Sequence, residues 1–121
     1  NYIPVIAPLG FDENNNIYNI NADSAASKIA SELAAEKIIF LTDQQGVLNK
    51  KEELISSLNF EEINKLIKND VITGGMLPKI QACLDAINNN VKMAHIVDGR
   101  IQHSVLLEIF TNEGIGTLVK K

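Results

Sequence analysis

The chain has 121 residues, 45% of them hydrophobic, and a formal net charge of -4 with a pI near 5.1, enough for one compact domain with a real core. Lysines are spread out except at Lys50-Lys51 and Lys120-Lys121, so no broad positive face exists to excite interest in nucleic acid. The single Cys83 excludes an internal disulfide, and no apolar run approaches the ~20 residues that a membrane-spanning helix requires, so neither nucleic acid nor membrane is an expected partner and a cytoplasmic location is expected.

Residues 1–9, NYIPVIAPL, read as a buried strand, with the apolar run at 3–7 interrupted only by Pro4 and ended by Pro8 and Gly10. With no initiator Met and no lead-in to that strand, the chain is expected to be a piece of a longer protein. Asn14-Asn15-Asn16 marks a hairpin tip, because asparagine tolerates positive φ, and the chain returns through Ile17-Tyr18. From Ala22 a helix is expected, with Asn21 as its N-cap and Ala22, Ala25, Ala26, Ile29, Leu33 and Ala34 on the buried stripe. Lys28 and Glu32 stand four apart on its solvent side.

KIIFLT, residues 37–42, is a second strand of the buried type, closed by Asp43 and Gly46. Asn59 and Glu62 form a capping box at the start of the next helix, with Leu58 stapled on Ile63. Another helix begins at Gly74-Gly75-Met76-Leu77-Pro78, with Leu77, Ile80, Leu84 and Ile87 facing inward and Asn88 to Asn90 stopping it. Residues 91–97 form a third main strand, VLLEIF a short helix and GTLV a closing strand. The order predicts an α/β fold: a three-layer sandwich on a mostly parallel central sheet, with a β-hairpin near the N-terminus, in a single domain over residues 1–121.

Familiar motifs are missing. There is no Walker pattern, and Gly114-Ile115-Gly116 precedes a strand where a dinucleotide fingerprint must follow one. The stretch from Asp12 through Asn14 and Asn16 to Asp23 imitates a calcium loop, but Ile17 stands where glycine is needed and Asp23 where a bidentate Glu is usual. Two histidines and one cysteine do not supply a zinc site, and no metal ligands are assigned. No GxSxG elbow supports a hydrolase triad.

In an open α/β sheet ligands bind beyond the carboxyl ends of the strands, so the loops after Thr42, around Gly74 and after Val97 should share one edge. Polar loops are common everywhere, and each loop alone carries little weight. Lys79 is sharper. It falls in a first helical turn, where the macrodipole disfavours a cation by ~0.3–1 kcal/mol unless an anion is near. The two glycines before it would let backbone N–H groups approach a phosphate; alternatively, Lys79 points into water, where the penalty is screened. Asn21 and Asp23 suit a helix start for structural reasons alone. Capping leaves Asn19 unexplained and the Asp23 carboxylate free to hold a lysine.

Taken together, YNINADSAASKIASEL, KIIFLTDQQGVL, VITGGMLPKIQACLDAI and AHIVDGRIQHSVLLEIFTNEGIGT resemble the C-terminal half of the N-acetyl-L-glutamate kinases, enzymes of arginine biosynthesis within the amino acid kinase family. The resemblance covers essentially the whole chain, in order. It implies the nucleotide-binding lobe of a larger kinase that moves the γ-phosphoryl group of ATP to the side-chain carboxylate of N-acetyl-L-glutamate, with Mg2+ held mainly by the nucleotide phosphates. Asn19 and Asn21 then fall on substrate-binding positions, with Asn19 at the acetylglutamate carboxylate. Asp23 falls on the aspartate that orients catalytic lysines, and Lys79 on a lysine that stabilises the transition state.

By the same resemblance Asp43, Gly46, Val47 and Leu48 form a nucleotide loop and Val71, Ile72 and Thr73 a second ATP contact. DQQG stands where DVxG is common, which puts contacts from Gln44 in question. His95, Glu108 and Gly114 match the L-arginine signature of feedback-inhibited members. The N-terminal lobe, with a second catalytic lysine and a glycine-rich phosphate loop, is not in this sequence, so the chain alone should bind nucleotide weakly and not turn over. Full-length members are expected to be homo-oligomers. Other readings keep the fold and change the acceptor, to glutamate, aspartate, carbamate or a nucleoside monophosphate, or make the chain a nucleotide- or arginine-sensing module without chemistry.

Overall fold

The computed structural model describes residues 2–112 and 114–121. Ten elements follow one another: β1 (Leu9–Phe11), β2 (Ile17–Asn19), α1 (Ala22–Glu32), β3 (Lys37–Thr42), β4 (Ser57–Leu58), α2 (Phe60–Lys68), α3 (Met76–Asn88), β5 (Met93–Asp98), α4 (Ser104–Phe110) and β6 (Thr117–Val119). The main sheet has the order β3-β5-β6-β4, with β1 and β2 in a separate hairpin. β3 pairs with β5 and β4 with β6 in parallel, while β5 and β6 run antiparallel. The expected α/β class, mostly parallel sheet and N-terminal hairpin are therefore present.

Local chemistry sets the turns. Asn15 takes φ 63° at the hairpin tip. The Asp12 carboxylate there accepts from the backbone N–H groups of Asn14 and Asn16, from Asn16 Nδ2 and from the Tyr18 hydroxyl. The expected capping box closes α2: Asn59 accepts from the Glu62 N–H at 2.9 Å and Glu62 accepts from the Asn59 N–H at 2.8 Å. Leu58 and Ile63, the intended staple, are both buried in the main core.

That core gathers Ile38 and Phe40 of β3, Ala94 and Ile96 of β5, Ile63 of α2, and Ile80, Cys83, Ala86 and Ile87 of α3. Because side chains alternate across a strand, His95 and Val97 occupy the other face of β5 and are buried as well. The α4 helix covers His95 on that side, through Glu108. The strand that alternation at 91–97 marked in the sequence is thus covered on both faces rather than one.

Four expectations fail locally. The first strand lies at Leu9–Phe11, not at residues 3–7, where Ile3 and Val5 are 92% and 96% exposed; Asn1 lies outside the described residues. With β3 ending the sheet, no neighbouring strand buries that run. In α1 the buried residues are Ser27 and Ala30, while Leu33 is 74% exposed. Small side chains let α1 lie close to α3, and the apolar stripe instead lines an open groove with Pro4, Ile6 and Pro8. Leu77, expected to face inward, is 39% exposed because it precedes the turn whose Ile80 and Cys83 reach the core. Finally, β3, expected to be of the buried type, is fully covered on one face only, with Ile38 and Phe40 buried and Leu41 50% exposed at the sheet edge, while the unforeseen β4 has two residues, too few for any periodicity to announce.

Candidate active site

Asn21, the N-cap of α1, accepts from the Ser24 N–H at 3.0 Å, and this sets the first turn so that Asp23 projects from it. Across the helix pair, the first turn of α3 carries Lys79. Its Nζ donates to both Asp23 oxygens, at 2.9 and 3.2 Å, and the two side chains are each 21% exposed. Residues 56 apart in sequence thus meet, part-buried, between α1 and α3.

No side chain caps α3: Gly75 sits at the N-cap and the first turn carries no acid. The Met76 and Leu77 N–H groups that open this 13-residue helix turn back to the Thr73 and Gly74 carbonyls, at 3.2 and 3.3 Å, and Pro78 has no N–H, so what the helix start offers is the positive pole of its macrodipole. A lysine beside that pole is unfavourable by itself, and Asp23 offsets one unit of charge. The remaining positive potential suits a polyanion. Cys83, one turn further on, is fully buried, and burial pushes its thiol up to about 12, with the nearby Asp23 carboxylate adding to the rise. It is packing, not a nucleophile.

The loop after β3 meets the approach to α3 at a second cleft of about 160 Å³, lined by Gln44, Gly46, Val47, Leu48, Val71, Ile72, Thr73, Gly75 and Met76. Six of the seven residues placed at ATP positions by resemblance share this one wall. Asp43 is not among them; it accepts from the Thr42 hydroxyl at 3.3 Å and its charge reaches Arg100. Gln44, questionable in sequence, does line the cleft, and so do Gly75 and Met76, which sequence reasoning had not assigned. The anticipated edge is real: β3 and β5 end side by side, with the Gly99 N–H donating to the Thr42 carbonyl at 2.8 Å. At that edge Asp98 binds Arg100 through two side-chain hydrogen bonds of 2.9 and 2.8 Å.

Asn19 ends β2, exposed, two residues before the Asn21 cap. His95, Glu108 and Gly114 come together elsewhere. His95 Nδ1 lies 2.7 Å from Glu108 Oε1, and Glu108 Oε2 accepts from the N–H groups of Ile115 and Gly116 at 2.7 and 3.0 Å. Gly114 adopts φ +64°, and a Cβ there would stand 2.8 Å from the same carboxylate oxygen. Burial by itself would raise the Glu108 carboxyl; the hydrogen bonds from Ile115, His95 and Gly116 outweigh it and hold it below its ordinary value. His95 Nε2 is buried without a partner.

No group of three or more His, Cys, Asp or Glu side chains is placed to hold a metal ion, and no helix is long and apolar enough to cross a membrane, among the described residues.

Comparison with known proteins gives this geometry relatives. The chain is 60% identical over 117 residues to an acetylglutamate kinase of Persephonella marina and 55% identical over 120 residues to one of Thiobacillus denitrificans, alignments that take in 97% and 99% of it. It spans about two fifths of those relatives, 39% and 41% of their lengths. Among solved structures, an N-acetylglutamate synthase of Neisseria gonorrhoeae complexed with coenzyme A and L-arginine superposes with a TM-score of 0.87 at 29% identity, over 94% of this chain and 26% of that one. A carbamate kinase of Giardia lamblia bound to AMP-PNP superposes with a TM-score of 0.67 at 25% identity, over 91% of this chain and 36% of that one. The model of the amino acid kinase family matches residues 1–98, a span that contains the Asp23–Lys79 pair and both walls of the second cleft, and the chain belongs to that family.

Proposed function

We propose that this chain is the nucleotide-binding, lysine-bearing part of an acetylglutamate kinase, which transfers the γ-phosphoryl group of ATP to the side-chain carboxylate of N-acetyl-L-glutamate in arginine biosynthesis. The observation that carries the reading is the Lys79–Asp23 pair at the uncapped start of α3. The names of the relatives, acetylglutamate kinases at 55–60% identity, support the acceptor.

In such a transfer a carboxylate oxygen of acetylglutamate forms a bond to the γ-phosphorus while the bond from that phosphorus to the bridging β-γ oxygen breaks, leaving ADP and an acyl phosphate. The moving group needs alignment and neutralisation more than covalent help. Lys79 supplies an ammonium that Asp23 holds in place at the start of α3, and the positive end of the helix macrodipole adds fixed partial charge. Residues 46–48 and 71–73 form the wall against which the nucleotide lies. Asn19 and Asn21 stand at the entry to α1, where Asn19 is free to bind the acceptor carboxylate while Asn21 sets the helix that carries Asp23. Mg2+, where bound, would be held mainly by the nucleotide phosphates and would supply neutralisation of their charge.

A second lysine and a phosphate loop, expected in the part of the relatives that this chain does not span, complete the site; the 121 residues alone bind ATP weakly without turnover. The enzyme is cytoplasmic and a homo-oligomer. L-arginine regulates it through His95, Glu108 and Gly114, a reading supported by their convergence and by the arginine carried by the synthase neighbour.

The test is acetylglutamate-dependent ADP formation by the full-length protein carrying this chain. Lys79→Ala should lower kcat by about 10²–10³-fold, the range seen when one transition-state donor is removed. Full activity in that variant, or faster turnover with glutamate, aspartate, carbamate or UMP, would overturn the assignment.

A further inference from the structure

Thr117 opens β6, is fully buried, and is not itself among the residues assigned above by sequence. Its hydroxyl accepts from the Val47 N–H at 2.8 Å and donates to the Ile55 carbonyl at 2.7 Å. Those two groups are the ends of a loop excursion: the Ile55 N–H itself donates to the Val47 carbonyl at 2.9 Å, and Leu48 bridges Leu54 between them. One hydroxyl therefore pins both feet of the segment whose first residues wall the 160 Å³ cleft. The approach is tight. Gly46 takes φ +148°, and a Cβ there would lie 2.6 Å from Thr117 Oγ1 and 2.7 Å from Leu54 Cδ1, so the loop backbone rests directly on the threonine.

The strand beneath is itself fixed. Glu108 holds the N–H groups of Ile115 and Gly116, and Gly116 lies so near the Ile96 carbonyl that a side chain there would collide with it. Thr117 thus has no slack with which to follow a displaced loop.

We propose that Thr117 is a positioning residue of the nucleotide site, holding residues 46–48 in the shape that receives ATP without touching ATP itself. The inference rests on the kinase reading above. Replacing the hydroxyl by a methyl strands two buried backbone groups, the Val47 donor and the Ile55 acceptor, and the loop escapes that cost only by moving. Threonine and valine are nearly isosteric, yet they differ in this one respect.

The experiment compares Thr117→Val, Thr117→Ser and Thr117→Ala in the full-length protein carrying this chain, with ATP as the varied ligand and backbone amide exchange at Val47 as a second readout. T117V should raise the KM for ATP about tenfold, the scale of one buried hydrogen bond left unsatisfied, with kcat at saturating ATP changed less than about threefold and faster exchange at Val47. T117S, which keeps the hydroxyl, should restore both to near the parent values; if T117V does not fold, the serine and alanine pair carries the same contrast. An ATP-binding parent in which T117V leaves the KM and the Val47 exchange unchanged, or in which serine and alanine are equally impaired, overturns the positioning role. A parent that binds no ATP overturns the kinase reading instead, and this proposal with it.

Discussion

The protein contains two pairs of a carboxylate with a basic side chain, one a lysine and one a histidine, that look alike on paper and sit in opposite surroundings. Asp23 and Lys79 meet between two helix starts, each about one-fifth exposed, and neither is bound to anything that fixes the backbone around it. Glu108 and His95 meet between a helix and a strand, 5% and 9% exposed, with the spare carboxylate oxygen taken by two backbone N–H groups. An open pair can exchange partners: its lysine can turn to a phosphate at little cost, since water already shares its solvation. A closed pair cannot do so cheaply, because removing one member strands the rest in a low-dielectric interior. The contrast separates a pair free to change partners from one whose partners are already fixed.

The largest expected effect lies on the closed side. Glu108→Ala orphans His95 and the N–H groups of Ile115 and Gly116, and denaturant unfolding should show a loss of about 3 kcal/mol or more. If the loss were under 1 kcal/mol, the cluster would not be the anchor of β6 that the geometry makes it. Next comes acid. A carboxylate whose folded pKa is depressed adds stability that is complete above its unfolded value, ordinarily 4.5, and disappears as pH falls through the folded one. Stability measured from neutrality downward should therefore fall through the range below 4.5, and Glu108→Gln should flatten that slope. The smallest effect on stability belongs to the open pair: Lys79→Ala should change unfolding stability by no more than about 1 kcal/mol while it lowers kcat of the full-length protein by the proposed ~10²–10³-fold. A large destabilisation there would erase the distinction.

Legibility followed the range of each interaction. The strand at Lys37–Thr42 was visible to the residue through its unbroken apolar run, although only Ile38 and Phe40 are buried, and the capping box and the asparagine turn are each contained within a few neighbours. Residues 3–7 carry the same kind of run without the neighbouring strand that would bury it, and composition cannot report a missing neighbour. The face of α1 was misread because its tight contact with α3 selects small residues, serine included, over apolar ones. In the site, first-turn chemistry singled out Lys79 and Asp23 individually, but their meeting came only from family resemblance. Thr117 gave no signal at all, since its partner Val47 lies 70 residues away and threonine in a strand needs no explanation.

The uncovered opening segment has a practical side. Beside β3, which ends the sheet with one row of backbone groups unpaired among the described residues, the chain displays Tyr2, Ile3 and Val5, each more than nine-tenths exposed. Such an edge is a template for pairing between molecules. Handled in isolation, the polypeptide should self-associate more readily as it is concentrated, and a lysine in place of Val5 should keep it dispersed.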